Sequence, residues 1–410
     1  MTKSRREKNL LILLLGALTA LSPFSIDMYL PAFQKVAEDF NTTVAQVSLT
    51  LSSYFIGLSV GQLFYGPLLD RFGRKKPLYG GLLLYIVTTL ACLMAHSIET
   101  LVVLRFIQAI GGCAAGVASF AMVRDSFTMK ESSKVFSLLI LILGVSPLVA
   151  PTAGGYVSAA WGWHSVFIFL ALIAAMLLAC SVFFLKESHQ PDTSVSLRAG
   201  PIFRNFLGVL KVPQFYTYTL AGAVAFAGLF VYVAGSPVIY LEIFKMEPQI
   251  YGWIFAGLSV GFIGASQLNI FLIRHYRNED IFFWALIGQV IVTSIFLVGT
   301  LNGWYGVYGT TALLFCFLCT VGLANPNGAA LAMAPFSKNA GSASALMGFL
   351  QMGSGALASM IVGIFTGKEI LPIVLILFFA SIIALSVLLF GRRKITDRVD
   401  VQDGGVIAAH

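Results

Sequence analysis

Long apolar stretches of about 20 residues, separated by shorter polar segments, run along the chain from residue 10 to residue 390. A helix needs about 20 apolar residues to cross the hydrocarbon core of a bilayer. The stretches lack the alternation of polar and apolar residues that membrane β-strands show. The pattern therefore predicts twelve transmembrane helices, here called spans 1 to 12: 10–30, 47–69, 78–95, 99–122, 136–159, 163–185, 213–235, 250–273, 281–300, 305–327, 341–365 and 370–390.

The first apolar stretch has some features of a secretory signal peptide, because the basic segment MTKSRREKN precedes it. A signal peptide has a short apolar region that ends at a cleavage site of small residues. Here the apolar stretch continues to Leu30 without a convincing cleavage site, and eleven further spans follow it. We therefore interpret this stretch as a retained first helix.

The composition is that of an integral membrane protein. Hydrophobic residues make up 58% of the 410 residues and charged residues only 11%, whereas soluble proteins carry about 25% charged residues. The five cysteines lie in or at the ends of apolar spans, and we interpret them as small packing residues. No disulfide framework is expected.

Basic residues lie mostly on one side of the predicted membrane. Twelve spans place both termini on the same side, and 22 of the 26 lysines and arginines fall on that side. Lys35, Lys245 and Lys368 fall on the other side, and Arg105 lies inside span 4. Cytoplasmic loops are enriched in lysine and arginine, so we predict that both termini are cytoplasmic. The net charge of +8 then reflects topology, and no nucleic-acid partner is expected.

The longest polar stretch between spans predicts the domain organisation. It separates two groups of six spans, and we expect it to be a cytoplasmic linker between two helical bundles. The predicted parts are an N-terminal bundle at 1–185, the linker at 186–212, a C-terminal bundle at 213–392 and a cytoplasmic tail at 393–410.

The two predicted bundles have the spacing of an internal repeat. A shift of about 203 residues places span 7 on span 1 and the charged segment 274–280 on the charged segment 70–76. Repeats with the same orientation are related by an axis along the membrane normal. The shift carries Asp27 close to Phe230 and Arg105 close to Tyr308, so the charges inside the spans belong to the first half.

Asp27 and Arg105 are the candidate residues for proton coupling. At 1.5 Å per residue, Asp27 lies ~25 Å from the start of span 1, and Arg105 lies ~9 Å inside the opposite end of span 4. Both charges are therefore expected at similar depth near the outer face, where they are candidate electrostatic partners. Ionisable residues inside membranes are costly and usually functional. The alternatives are a local hydrogen bond for Asp27 and an extended arginine that reaches the outer interface.

Residues 66–78, GPLLDRFGRKKPL, form the strongest local motif. Gly66 and Pro67 are expected to end span 2, Asp70 to lie at the turn, and Gly73 to permit a tight reversal. The stretch resembles the loop motif G-x-L-x-D-R-x-G-R of the major facilitator superfamily. The resemblance implies a conformational latch, for which the candidate residues are Gly66, Asp70, Arg71, Gly73, Arg74, Arg124 and Asp125. The alternative is a loop that is basic only because it is cytoplasmic.

Two further motifs strengthen the resemblance. RFIQAIGG at 105–112 is similar to the fourth-helix motif R-x-x-Q-G, with Ala109 in place of the glycine. GVSPLVAPTAGG at 144–155 is similar to the fifth-helix motif of antiporters in the same superfamily. Its matching residues are Gly144, Pro147, Pro151, Gly154 and Gly155, and they predict a bendable, closely packed helix seam. The alternative is ordinary use of glycine and proline in membrane helices.

The segments at 25–33 and 322–356 are similar to the bicyclomycin-resistance (Bcr/CflA) group of that superfamily. The resemblance implies an all-α fold of twelve transmembrane helices in two six-helix pseudo-repeat bundles. It also implies proton-coupled efflux of drugs by alternating access across the bacterial inner membrane. An exporter of an endogenous metabolite, such as a sugar, an amino-acid derivative or a siderophore, is the alternative on the same fold.

The expected partners are the lipid bilayer, the proton and a small amphipathic substrate, and the protein is expected to be a monomer. Aromatic, amide and methionine side chains suit such substrates. The candidate substrate contacts are Tyr54, Gln108, Phe226, Phe230, Tyr232, Tyr240, Asn325, Met347 and Gln351. A membrane enzyme or receptor is a third hypothesis. However, no Walker A loop, zinc-ligand cluster or nucleophile elbow is visible in the sequence, so no cofactor, metal or catalytic residue is expected.

Overall fold

The structure is a computed structural model that describes residues 5–127, 129–192, 199–336, 340–364 and 369–395. These residues form helices joined by short connections. Residues 193–198 of the predicted linker and residues 396–410 of the predicted tail lie outside the described part.

Fourteen α-helices follow one another along the described chain. They are α1 (Arg5–Asp27), α2 (Phe33–Asp39), α3 (Val44–Phe72), α4 (Lys75–Cys92), α5 (Ile98–Ser126), α6 (Met129–Trp161), α7 (His164–Phe184), α8 (Ala199–Leu210), α9 (Pro213–Pro237), α10 (Pro248–Leu272), α11 (Asn278–Leu301), α12 (Val307–Met333), α13 (Ala340–Ile364) and α14 (Leu371–Arg392). A 3₁₀ turn at Leu30–Ala32 precedes α2, and a π-helical segment at Val238–Ile243 follows α9.

The twelve predicted spans correspond to all of these helices except the short α2 and α8. In the described chain, eleven helical segments are long and apolar enough to cross a membrane. The remaining predicted span is α4, which has 18 residues and begins with Lys75 and Lys76. An 18-residue helix is ~27 Å long, which nearly matches a ~30 Å hydrocarbon core. The predicted all-α membrane fold is therefore confirmed.

Local sequence explains how several helices begin and end. Thr43 and Ser97 cap α3 and α5, because their hydroxyl oxygens accept hydrogen bonds from the backbone N–H groups of Gln46 and Thr100. Gly73 separates α3 from α4 with φ = 83°, a value that favours glycine. The expectation that Gly66 and Pro67 end the second span was wrong, because α3 continues to Phe72 with the proline inside it.

The chain divides into two compact units by packing. The first unit comprises Met1–Leu197 and Ser236–Gly257, and the second comprises Arg198–Gly235 and Leu258–His410. In the first unit, α3 and α4 pack along α5, and α1 packs against α5, α6 and α7. In the second unit, α11 packs against α12 and α14. The segment Ser236–Gly257 thus packs with the N-terminal helices, whereas the predicted domain boundaries follow chain order and remain a prediction.

Candidate functional site

Arg105 lies in the interior of the first unit, where its side chain is 0% exposed. Its Nη1 atom donates to Oε1 of Gln108 at 2.6 Å, one turn further along α5. Its Nη2 atom donates to the backbone carbonyl of Ser25 on α1 at 2.9 Å. Gln108 in turn donates through Nε2 to the hydroxyl of Thr89 on α4, at 2.6 Å. The expected contact between spans 1 and 4 is therefore present, and a backbone carbonyl makes it.

Three aromatic rings surround the guanidinium group of Arg105. Its Cζ atom lies 4.3 Å from the ring centroid of Tyr54, 5.0 Å from that of Tyr29 and 5.7 Å from that of Phe167. The negative face of an aromatic ring attracts a cation. In the described part of the chain, Arg105 forms no ion pair, and its Nε atom has no hydrogen-bond partner. The three rings and two oxygen acceptors therefore stabilise the positive charge of Arg105 in place of a counter-ion.

Asp27 is the last residue of α1 and is 5% exposed. No hydrogen bond or ion pair joins its carboxylate to any residue in the described ranges. The direct pairing with Arg105 that the sequence indicated is not formed in this structure, because Arg105 donates to the Ser25 carbonyl instead. The hydroxyl of Tyr251 lies close enough to Asp27 for an electrostatic interaction.

The residues on either side of Asp27 are held by other helices. The hydroxyl of Ser25 forms a hydrogen bond with the hydroxyl of Tyr85 on α4. The ring of Tyr29 packs edge-on against Phe167 on α7, with centroids 5.3 Å apart. The backbone around Asp27 is therefore fixed, while its carboxylate has no hydrogen-bond or ion-pair partner in the described part of the chain.

Two glycines of the predicted antiporter motif lie where α6 approaches other segments closely. A Cβ atom at Gly154 would overlap the carbonyl oxygen of Met28, the residue after Asp27. A Cβ atom at Gly155 would lie 2.8 Å from the carbonyl oxygen of Pro248. Both positions require a residue without a side chain, so the predicted close seam is present at Gly154 and Gly155.

The prolines of this motif do not interrupt the helix. Pro147 and Pro151 both lie inside α6, which is continuous from Met129 to Trp161. The carbonyl oxygen of Pro151 faces Gly252 of the same unit, where a Cβ atom would lie 3.0 Å away. Gly144 is partly buried one turn before Pro147. The expected bending at these prolines stays a prediction.

The predicted latch residues Arg74, Asp70 and Asp125 come together after α3. Arg74 donates to Asp70 at 2.6 Å and to Asp125 at 2.7 Å, and its side chain is 6% exposed. Burial opposes the charge of Arg74, but the hydrogen bonds and charges of Asp125 and Asp70 outweigh burial and raise the pKa of its guanidinium. Arg124 is exposed and takes no part in these contacts within the described chain.

Glu187 is a functional candidate that the sequence reasoning missed. One carboxylate oxygen of Glu187 accepts from the backbone N–H of Arg74 at 2.8 Å, and the other accepts from that of Lys75 at 3.1 Å. A Cβ atom at Gly73 would lie 2.8 Å from this carboxylate. An acid at a helix N-terminus satisfies free N–H groups and complements the helix dipole. The start of the predicted linker therefore caps α4 and joins the latch.

We expect Glu187→Ala to lower the melting temperature of the purified protein in detergent by about 2–4 °C, because α4 loses its N-terminal acceptor beside Arg74. A cap is worth about 1 kcal/mol, and a loss of that size shifts the melting temperature of a domain of this size by about 2–4 °C. Glu99→Ala is the matched control, because Glu99 lies exposed in the first turn of α5. Equal melting temperatures in the two variants would contradict this role.

The predicted substrate contacts differ in how much of each residue is exposed. Tyr54, Gln108 and Tyr240 belong to the first unit and are each 0% exposed. In the second unit, Tyr232 is 1% exposed and Phe230 is 6% exposed. The four predicted contacts that are partly exposed all lie in the second unit: Phe226, Asn325, Met347 and Gln351.

The second unit has an uncharged counterpart of the latch, which was not predicted. Asn278, the first residue of α11, donates to the side-chain oxygen of Asn327 at 2.8 Å. Asn327 donates to the side-chain oxygen of Asn269 on α10 at 2.7 Å. Three amides therefore join α10, α11 and α12, whereas ion pairs join the corresponding helices of the first unit.

Among the residues that the structure describes, no group of three or more His, Cys, Asp or Glu side chains could hold a metal ion. All five cysteines are described, and all are free thiols.

Comparison with known protein families and sequences gives consistent matches. Residues 15–359 match the family model described as Major Facilitator Superfamily. The uncharacterized MFS-type transporter YdgK of Bacillus subtilis is 34% identical over 396 residues, covering 95% of this chain and 96% of YdgK. The bicyclomycin resistance protein homolog of Haemophilus influenzae is 32% identical over 351 residues, covering 86% of this chain and 88% of that protein. A chloramphenicol resistance protein of Pseudomonas aeruginosa is 29% identical over 322 residues, covering 78% and 76%.

Solved structures show the same fold. A bacterial homolog to the human lysosomal transporter Spinster, in an inward-facing and occupied conformation, matches with a TM-score of 0.76 and 14% identity. The match covers 99% of this chain and 100% of that chain. The D-xylose-proton symporter matches with a TM-score of 0.71 and 14% identity, covering 97% and 99%. At this identity the likeness shows the fold alone.

Proposed function

The chain belongs to the major facilitator superfamily, and from that premise we propose that it exports small molecules from the bacterial cytoplasm in exchange for protons. Its resemblance to the bicyclomycin-resistance group is confirmed by the relative in Haemophilus influenzae. The observation that carries the proposal is Asp27, a buried acid without a described partner in a helix end that other helices hold in place.

Asp27 is suited to bind and release a proton. Burial away from water disfavours the charged form of a carboxylate, and the C-terminal end of α1 adds partial negative charge beside it. The neutral form is therefore favoured when the site is closed to water. Water entry, or a closer approach of Arg105, favours the charged form. Asp27 thus takes up a proton from the outer side and releases it to the cytoplasm.

Proton entry supplies the work of export. Moving one charge through the membrane potential releases about 2.3 kcal/mol per 100 mV, and any pH difference adds to it. The binding site opens alternately to the two sides of the membrane. When it opens to the inner side, the proton leaves and the substrate binds. We place the protein in the inner membrane as a monomer, with both termini in the cytoplasm.

The buried first-unit contacts have a positioning role in this proposal. Gln108 uses its oxygen for Arg105 and its nitrogen for Thr89, so it orients the guanidinium group. Tyr54 covers that group with its ring. Tyr240 packs against Tyr251, with ring centroids 6.1 Å apart. Direct contact with the substrate is assigned to the partly exposed residues of the second unit.

The latch keeps the cytoplasmic ends of α3, α4 and α5 together in one conformation. Arg74 joins Asp70 on α3 to Asp125 on α5, and Glu187 caps α4 at the same point. Breaking these contacts accompanies the change of conformation. Arg71 and Arg124 extend the positive charge of this surface.

Drugs are the proposed substrates because two of the relatives are named for resistance to bicyclomycin and to chloramphenicol. The test uses everted membrane vesicles from a strain that expresses the protein. Respiration acidifies the vesicle interior, and uptake of radiolabelled chloramphenicol into the vesicles then reports export.

We expect uptake at least fivefold above that of vesicles without the protein. We also expect a protonophore to abolish it, because the proton gradient is its source of work. Uptake that continues unchanged when a protonophore has collapsed the gradient would rule out proton coupling.

A further inference from the structure

Two amide side chains meet between helices of the second unit. Gln351, near the middle of α13, donates through Nε2 to Oδ1 of Asn325 on α12 at 3.1 Å. Both residues are partly exposed, although both lie well inside helices that are long enough to cross a membrane. The pair is called the amide pair below.

The amide pair has hydrogen-bonding capacity left over. An amide side chain carries two donor hydrogens and an acceptor oxygen, and one bond uses only part of this capacity. Within the described chain, Nδ2 of Asn325 and Oε1 of Gln351 have no partner. Hydrocarbon offers no hydrogen bonds, so partly exposed amides at this depth line a surface that water or a ligand reaches.

Aromatic surface lies on the neighbouring helix. One turn from Gln351, Ser354 donates to the carbonyl oxygen of Ala223 on α9 at 2.9 Å. The next residue of α13, Gly355, contacts the ring of Phe230 on α9. Phe226 lies between these two contacts on α9 and packs edge-on against Phe230, with centroids 5.4 Å apart. Phe226 therefore lies on α9 between the two points at which that helix contacts α13.

The helices that carry this surface are uncharged in the second unit. The segments 213–235, 258–272, 307–333 and 340–364 contain no Asp, Glu, Lys, Arg or His residue. The surface therefore offers hydrogen bonds and aromatic faces, but no charge to balance that of a ligand. A charged ligand transferred there would lose its hydration without an ionic partner, which is costly.

We propose that the amide pair and Phe226 form a subsite for neutral molecules that carry amide, carbonyl or hydroxyl groups beside an aromatic or apolar group. The inference rests on the proposed function and adds the substrate class. The amides bind the polar groups, and Phe226 covers the apolar part. A site built to hydrogen-bond its ligand discriminates strongly against molecules that lack those groups. Permanent organic cations are therefore poor ligands.

Equilibrium binding to the purified, full-length protein in nanodiscs tests the proposal without any need for proton coupling. The probes are chloramphenicol, a neutral aromatic molecule with an amide and two hydroxyl groups, and tetraphenylphosphonium, a permanent cation without hydrogen-bonding groups. We expect saturable binding of chloramphenicol and at least tenfold weaker binding of tetraphenylphosphonium.

Three variants test whether the amide pair distinguishes chloramphenicol from tetraphenylphosphonium. Gln351→Leu and Asn325→Leu are each expected to weaken chloramphenicol binding about tenfold, because each removes hydrogen bonds between the subsite and the polar groups of the ligand. Gln351→Glu is expected to strengthen tetraphenylphosphonium binding about tenfold, because it supplies a negative charge. Asn302→Leu is the matched control and should leave binding of both probes unchanged, because Asn302 is an exposed amide of the same unit that donates only to Val298 at the end of α11.

The outcomes separate this inference from the proposed function. The substrate class is overturned if chloramphenicol does not bind saturably, if tetraphenylphosphonium binds equally well, or if both leucine variants bind chloramphenicol as the wild type does. Failure of the proposed function has a different result, in which chloramphenicol binding is intact but vesicle uptake does not respond to the proton gradient.

Discussion

Replacing Asp27 with asparagine is expected to lower proton-driven efflux at least 100-fold. Asparagine keeps the size of the side chain but cannot take up and release a proton, so the proposed exchange would lose its coupling step. Ser25 and Met28 contact other helices through backbone atoms, so the fold around residue 27 does not depend on the carboxylate. Uptake of chloramphenicol into everted vesicles measures the loss, normalised to the amount of protein inserted.

The control variants separate loss of the proton site from loss of an acid in general. Asp280→Asn removes an exposed acid from the first turn of α11 and should leave efflux unchanged. Asp27→Glu retains a titratable group and should keep part of the activity. Chloramphenicol binding in nanodiscs should survive in Asp27→Asn, because its proposed subsite lies in the second unit. Efflux by Asp27→Asn that still follows the imposed pH gradient would remove this residue from the mechanism.

The arrangement around Arg105 explains why an acid at residue 27 can remain unpaired. A buried guanidinium group without a counter-ion is costly, and pairing with the nearest carboxylate would normally compensate for this cost. Here two oxygen acceptors and the rings of Tyr29, Tyr54 and Phe167 satisfy the guanidinium group in the absence of Asp27. The Asp27 carboxylate is therefore not needed to balance the charge of Arg105, which leaves it available for the proposed proton exchange.

Sequence patterns predicted the spans and the two buried charges for a clear reason. Apolar length is what a bilayer demands of a helix, and a charge inside such a length stands out against its surroundings. Arg105 and Asp27 were found in this way. The family resemblance placed Asp70, Arg74 and Asp125 in one latch, and the structure brings these three side chains together.

Other contacts could not be predicted because backbone atoms make them. Arg105 binds the carbonyl of Ser25, and Glu187 binds the N–H groups of Arg74 and Lys75. Every residue has a backbone carbonyl, so the sequence does not indicate which carbonyl accepts a given hydrogen bond. The only available signal for Glu187 was an acid soon after the sixth span, opposite a basic loop. Buried tyrosines such as Tyr54 look the same in sequence whether they face a ligand or a guanidinium group.

Gly154→Ala is expected to lower efflux at least tenfold, the second largest effect. The added methyl group would overlap the carbonyl oxygen of Met28, and a backbone atom cannot rotate away as a side chain can. Overpacking of this kind costs about 1–3 kcal/mol, so α1 and α6 must move apart. That movement would displace Asp27, the residue before Met28, and thus disturb the proposed proton site. Vesicle uptake of chloramphenicol and the melting temperature in detergent measure the two consequences.

Gly80→Ala is the matched control for this prediction. Gly80 lies inside α4 of the same unit, and a Cβ atom there would meet no atom within 4 Å. Alanine stabilises a helix by about 1 kcal/mol relative to glycine. Gly80→Ala should therefore keep wild-type efflux, and its melting temperature should not fall. If the two alanine variants transport equally well, contact between α6 and the segment after Asp27 has no part in positioning the proton site.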